Sequence, residues 1–73
     1  MYYTVSKNRF DGGHDHICAP AGYCRDYKTG EIKRDGSAAP EMTRDSTKAY
    51  QFPNRKYAEM QAAKLVDGQI VES

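Results

Sequence analysis

The stretch that decides the fold is Thr47–Glu72, TKAYQFPNRKYAEMQAAKLVDGQIVE, which places a strand, a capped helix and a second strand within 26 residues. Lys48–Phe52 alternates, with Tyr50 and Phe52 on one face, as a half-buried strand does. Asn54 after Pro53 is a good N-cap, because its side-chain oxygen can accept a backbone N–H that the first helical turn leaves free. The helix expected over Arg55–Val66 puts Ala58, Ala62, Leu65 and Val66 on one stripe, the spacing of a core-facing surface. Leu65, the chain's single Leu, is expected to anchor the core. Gly68 is expected to supply the left-handed stop, after which Gln69–Glu72 returns as a short strand through Ile70 or Val71. A helix with one apolar stripe needs a sheet to cover it. The fold class expected is therefore α+β, a small antiparallel sheet of three to five short strands packed by one helix near the C-terminus.

Outward from this segment the signals weaken. Tyr2–Ser6 is β-prone and suits a first strand. His14–Arg34 reads as a three-stranded meander. Pro20-Ala21-Gly22 has the chemistry of a three-residue hairpin loop, which would set Ala19 against Tyr23 and Cys18 against Cys24. Thr29-Gly30 is a second turn signal and would set Tyr27 against Ile32. One face of that sheet collects Ile17, Ala19, Tyr23, Tyr27 and Ile32. The other collects His14, His16, Cys18, Cys24, Asp26, Lys28, Glu31 and Lys33, with Lys28–Glu31 and Asp26–Lys33 as cross-strand ion pairs. Arg25 and Arg34 conflict with this register, because both would fall on the apolar face unless they lie at the sheet edge or the second turn is one residue longer. Asp35–Ser46 has Gly, Ser and Pro without periodicity and reads as a long, mobile loop in a single domain spanning 1–73.

Composition bounds what such a chain can do. At 73 residues, with only nine Ile, Leu, Val and Phe between them, it has a thin core. A chain of this size buries roughly 60% of the surface its unfolded form exposes. Six Tyr can add apolar area, each with a polar handle. The net charge of +1 argues against a general polyanion binder. No apolar run approaches the ~18 residues of a membrane span, and no signal-peptide core opens the chain, so the expectation is a cytoplasmic protein with no membrane partner. Two cysteines in that compartment are expected to be thiols or ligands rather than a disulfide.

Four residues, His14, His16, Cys18 and Cys24, have the donor types of a zinc site within eleven positions. Their spacing matches no common zinc arrangement, and alternate residues on a flat strand stand roughly 6.5–7 Å apart. The residues therefore favour polar surface and thiols, with a small zinc module as an alternative and no cofactor expected. Catalysis has little support, since there is no Gly-rich phosphate loop and no nucleophile elbow. The chain is expected not to be an enzyme. Arg55 and Lys56 in the first helical turn oppose the helix dipole, and with free N–H groups they could face an anion on a partner. Solvated charge, with Arg55 relieved by Glu59, is the plainer reading. Tyr and Arg are enriched at interface hot spots. Tyr2 and Tyr57 look best placed at the surface, whereas Tyr23, Tyr27 and Tyr50 suit the core. Arg55, Lys56, Tyr57 and Tyr2 are thus the candidate partner-binding residues. A nucleic-acid surface using Arg25, Lys28, Lys33 and Arg34 is the second reading.

The run Ala49-x-x-Phe52-Pro53-x-Arg55-x-x-Ala58-x-x-x-Ala62-x-x-Leu65 resembles the C-terminal half of many short phage and prophage proteins. The resemblance covers the last third of the chain and rests on packing positions. It implies a phage-encoded protein acting in the bacterial cytoplasm, of a class whose understood members bind and redirect a host machine; a monomer is expected. RNA polymerase is the favoured target, with inhibition or reprogramming of transcription as the result. The His14–Cys24 segment has no counterpart in that pattern.

Overall fold

A computed structural model describes residues 1–72. Strand β1 (Tyr3–Asn8) and strand β2 (His14–Ala19) form an antiparallel hairpin with Ser6 opposite His16 and Asn8 opposite His14. Strands β3 (Tyr23–Arg25) and β4 (Ile32–Arg34) pair with each other in a separate two-stranded ribbon. Strand β5 (Glu41–Thr43) lies on the outer side of β2, and strand β6 (Gly68–Glu72) on the outer side of β1. The main sheet therefore runs β5-β2-β1-β6, and helix α1 (Arg55–Ala62) packs against β1 and β6. The fold is α+β.

The core is as thin as composition requires. Val5, Ile17, Phe52 and Ala58 are fully buried, ringed by Tyr3, Met42, Tyr50, Tyr57, Ala62, Leu65 and Ile70. The sheet registers put Val5 beside Ile70 and Ile17 beside Met42, so all four strands of the main sheet contribute to one patch. Ala58 lets the helix approach closely because it has no side chain beyond Cβ. Phe52 fills the remaining volume with its ring edge-on to Tyr50 at 4.8 Å and to Tyr57 at 5.0 Å, geometry that aromatic quadrupoles favour. The buried Gln61 carbonyl accepts the Ala21 N–H at 2.8 Å, tying the β2–β3 connection to the helix.

Several expectations are corrected. The Pro20-Ala21-Gly22 turn forms, with Tyr23 N–H donating to Pro20 O and Gly22 at φ +87°, yet β2 and β3 do not pair. Both edges of β2 are already taken, by β1 and β5, so β3 swings off the sheet and no meander results. In the ribbon the turn spans Tyr27–Gly30, closed by Asp26 N–H to Glu31 O. This slips the register by two residues, bringing Arg25 rather than Tyr27 opposite Ile32. The Asp26–Lys33 ion pair forms at 3.2 Å. Tyr27, assigned to the apolar face, is 86% exposed, and Cys18, assigned to the polar face, is buried.

Asp35–Ser46 is not a loop throughout, because its middle pairs with β2 as β5. Lys48–Phe52 is not a strand. A 3-10 turn at Ser46–Lys48, capped by the Asp45 carboxylate, runs into a single bridge between Phe52 and Tyr3. The Asn54 cap is present, its side chain accepting the Tyr57 N–H at 2.8 Å. The helix ends at Ala62 rather than Val66, which is 81% exposed. Asp67, not Gly68, takes the left-handed conformation, at φ 58°.

Candidate functional site

The best-formed recess is a cleft of about 460 Å³ between the β3–β4 ribbon and the β5 edge of the sheet. Its walls are built around Arg25. The last residue of β3 donates its backbone N–H to Glu41 Oε2 at 3.0 Å and points its guanidinium across the gap. Nη1 reaches Gly30 O at 3.1 Å, and Nη2 reaches Cys18 O at 3.0 Å and Lys48 O at 3.5 Å. One side chain thus joins the ribbon's own turn, strand β2 and the 3-10 turn. This accounts for the arginine that the meander register could not place.

Glu41 is the second hinge of the cleft. Its Oε1 accepts the Tyr27 hydroxyl, which lies in the ribbon turn. That bond holds the Glu41 carboxyl below its ordinary value and pushes the Tyr27 phenol up, with the Arg25 N–H adding to the first effect. Cys18 lies in the floor, its thiol donating to Glu41 O at 3.4 Å. Burial, and then the Glu41 charge, push this thiol up, so it stays protonated and poorly nucleophilic near neutral pH. Arg44 and Lys48 stand exposed at the rim, and neither makes an ion pair among the described residues.

The carboxylates predict a pH dependence. Hydrogen bonds lower Glu41 from an ordinary 4.5, and Asp26 and Asp45 from 3.8, each chiefly through a bond made only in the fold. For Asp45 these come from Thr47, and for Asp26 from the Lys28 N–H and Lys33. Depressed values stabilise the fold above the unfolded-state values, and that contribution disappears as pH falls through the folded-state values. The melting temperature is therefore expected to fall steadily below pH 4.5. Glu41→Gln should flatten that fall in circular-dichroism melts, and an identical acid limb in the variant would contradict the Tyr27–Glu41 bond.

The residues proposed from sequence do not assemble around one recess. Arg55 pairs with Glu59 at 2.9 Å, and Lys56 is exposed beside it. Tyr57 corrects its surface assignment, since its ring packs on Phe52 and burial raises its phenol. Tyr2 is half-buried. Arg55 lines a second, shallow recess of about 520 Å³ with Glu59, Leu65 and Ile70, and Lys56, Tyr57 and Tyr2 are not part of it. Of the zinc candidates, His14 is exposed, Cys18 is buried and Cys24 lies on the ribbon opposite Lys33. Among the described residues no three His, Cys, Asp or Glu side chains are grouped to hold a metal ion. No described helix is long and apolar enough to cross a membrane.

Sequence reading missed Phe10. It stands wholly exposed at the β1–β2 turn. The loop beneath it is braced by Arg9 N–H to Gly13 O at 2.7 Å, Gly12 N–H to Arg9 O at 3.1 Å, and Gly13 N–H to Asp11 Oδ1 at 3.0 Å. Arg9 Nε lies 3.6 Å from Asp11 and 3.5 Å from Asp15. A Phe set among Arg, Asp and Gly in a polar turn was the available signal.

No protein-family model matches this chain, and no match was found among curated proteins or solved structures.

Proposed function

We propose that this chain is a small non-catalytic interaction protein that acts by docking on a protein partner. The observation that carries the reading is Phe10, a fully solvated aromatic on a loop locked by three backbone-donated hydrogen bonds and an arginine between two aspartates. An exposed Phe contributes little to folding, whereas aromatic residues, Phe among them, are enriched at interfaces, and hot spots sit in well-packed pockets. Preorganisation lowers the entropy lost on binding. The neighbouring carboxylate of Asp11 is held ionised by the Gly13 N–H and then by Arg9, which disfavours a wedge driven between nucleic-acid bases or into an anionic membrane. The resemblance of the Ala49–Leu65 run to phage proteins supports a bacterial machine as partner, RNA polymerase before others, with transcription inhibited or reprogrammed. Lys56 and Arg55 belong to the same proposal as a cationic flank, together with Tyr2.

The test is capture of purified bacterial RNA polymerase, and of lysate proteins, on the tagged chain with and without nuclease. Phe10→Ala should melt within about 0.5 kcal/mol of the parent, as surface changes do. It should lose about 2 kcal/mol or more of partner affinity, near 30-fold. Arg55→Glu with Lys56→Glu should weaken binding further as salt rises. Capture that disappears with nuclease, and is indifferent to Phe10, would move the reading to a nucleic-acid-binding domain.

A further inference from the structure

We propose that the cleft between the β3–β4 ribbon and β5 is a binding site for a nucleoside 5′-phosphate group, with Arg44 and Lys48 holding the phosphate and Tyr27 stacking on the base. This is independent of the partner reading, because Phe10 lies outside the cleft's lining.

Charge decides the sign of the ligand. Three cations, Arg25, Arg44 and Lys48, and two acids, Asp26 and Glu41, line the recess. Asp26 is neutralised by Lys33 at 3.2 Å. Glu41 is offset by Arg25, whose backbone N–H it accepts and whose charge helps to hold it ionised. Arg44 and Lys48 remain. Each feels one acid at longer range, Asp11 for Arg44 and Asp45 for Lys48, but neither is in an ion pair. Two uncommitted cations at one rim match a phosphate monoester, which carries about −1.5 to −2 charges at neutral pH, better than a single carboxylate.

The rest of the cleft decides what the phosphate is attached to. Inorganic phosphate would use only the rim. Tyr27 exposes nearly its whole ring, yet its hydroxyl is fixed on Glu41, so the ring is held in place without being covered. An anchored, solvated aromatic face is what a base stacks on, worth about 1–3 kcal/mol in single-strand binders. Met42 and Cys18 line the recess with softer, less polar atoms. A recess of about 460 Å³ falls within the ~300–1,000 Å³ of small-ligand sites. The Arg25 straps to Gly30, Cys18 and Lys48 keep the walls apart before any ligand arrives.

The group could come from a free mononucleotide or from the 5′-phosphorylated end of a single strand. The experiment titrates the full chain with AMP, adenosine, inorganic phosphate, and a short oligonucleotide with or without its 5′-phosphate. Amide nitrogen–proton correlation spectra report the site. AMP is expected to saturate with a Kd of about 1 mM or tighter, moving the amides of Tyr27–Gly30, Met42–Arg44 and Lys48. Adenosine and inorganic phosphate should each bind at least about tenfold more weakly. Arg44→Glu with Lys48→Glu, both exposed and free of ion pairs, should keep the melting temperature and lose AMP. Tyr27→Leu should weaken AMP but leave inorganic phosphate unchanged. Equal affinity for AMP and the phosphorylated strand would identify the free nucleotide as ligand, and tighter binding of the strand only when phosphorylated would identify its end. No saturable shift with any probe, shifts confined to the Arg55–Tyr57 turn, or AMP binding unchanged in the double variant would overturn the proposal.

Discussion

Phe52→Ala is expected to leave the chain on the edge of unfolding at room temperature. Phe52 is the largest fully buried side chain among the described residues. Its backbone exchanges two hydrogen bonds with Tyr3, at 2.7 and 3.1 Å, and its ring lies between Tyr50 and Tyr57. Truncation removes the apolar contacts of the ring and opens a void beneath the helix, at a cost of about 3–5 kcal/mol. For a domain this small, roughly 3 kcal/mol corresponds to a fall in melting temperature of about 12 °C or more. Phe52→Leu should recover most of that, losing the edge-to-face term of about 0.5–1.5 kcal/mol and some volume. Thermal melts of both variants decide the matter. A Phe52→Ala protein within about 1 kcal/mol of the parent would mean that the core is centred elsewhere.

This role falls to Phe52 rather than to Leu65 for a reason that local pattern cannot supply. Leu65 was legible as core because it continued the Ala58–Ala62 stripe, and it does pack against the buried cluster. It lies past the helix end, however, in an i→i+3 turn where Leu65 N–H donates to Ala62 O, and remains only half-buried. Phe52 was read as one face of a strand. Its position is set by a bridge to Tyr3, 49 residues earlier, which no periodicity within Thr47–Glu72 encodes. The helix, its Asn54 cap and the returning strand were local and therefore legible. The sheet order was not. The meander failed because β2 had competing partners, β1 and β5, at its two edges, and the β5 signal was three residues long beside Pro40.

The same distinction holds for the candidate site. Arg25 was visible in the sequence only as a conflict on an apolar face, and that conflict marked the residue that straps the cleft. Arg44, Lys48 and Glu41 carried no motif, because what makes them a group is the return of β5 alongside β2. Arg55 and Lys56 stand out in the sequence only because cations in a first helical turn oppose the helix dipole. Glu59 one turn on relieves Arg55, as i,i+4 geometry allows.

Gly68→Ala should be the second large loss, for a reason opposite to the one its place in the sequence suggests. A glycine just beyond a helix invites assignment as a left-handed stop, where an added methyl costs through φ. Here Asp67 takes the positive φ, and Gly68 is the first residue of β6, opposite Lys7. What requires glycine is proximity. A Cβ at Gly68 would collide with Ala62 O and sit 3.0 Å from its carbonyl carbon. Both are backbone atoms at the end of α1, so relief requires either unwinding the last helical turn or lifting β6 off β1. Overpacking of this kind costs about 1–3 kcal/mol, and the backbone obstacle puts Gly68→Ala at the upper end. Asp67→Gly tests the other half of the assignment. It relieves a left-handed residue of about 1–2 kcal/mol of steric cost but loosens the unfolded chain, so it should stay within about 1 kcal/mol of the parent. Chemical denaturation of the two variants separates the mechanisms. Gly68→Ala at parental stability would show that β6 does not cross the helix end so closely, and a severe loss in Asp67→Gly would mean that the Asp67 side chain does more than tolerate its φ.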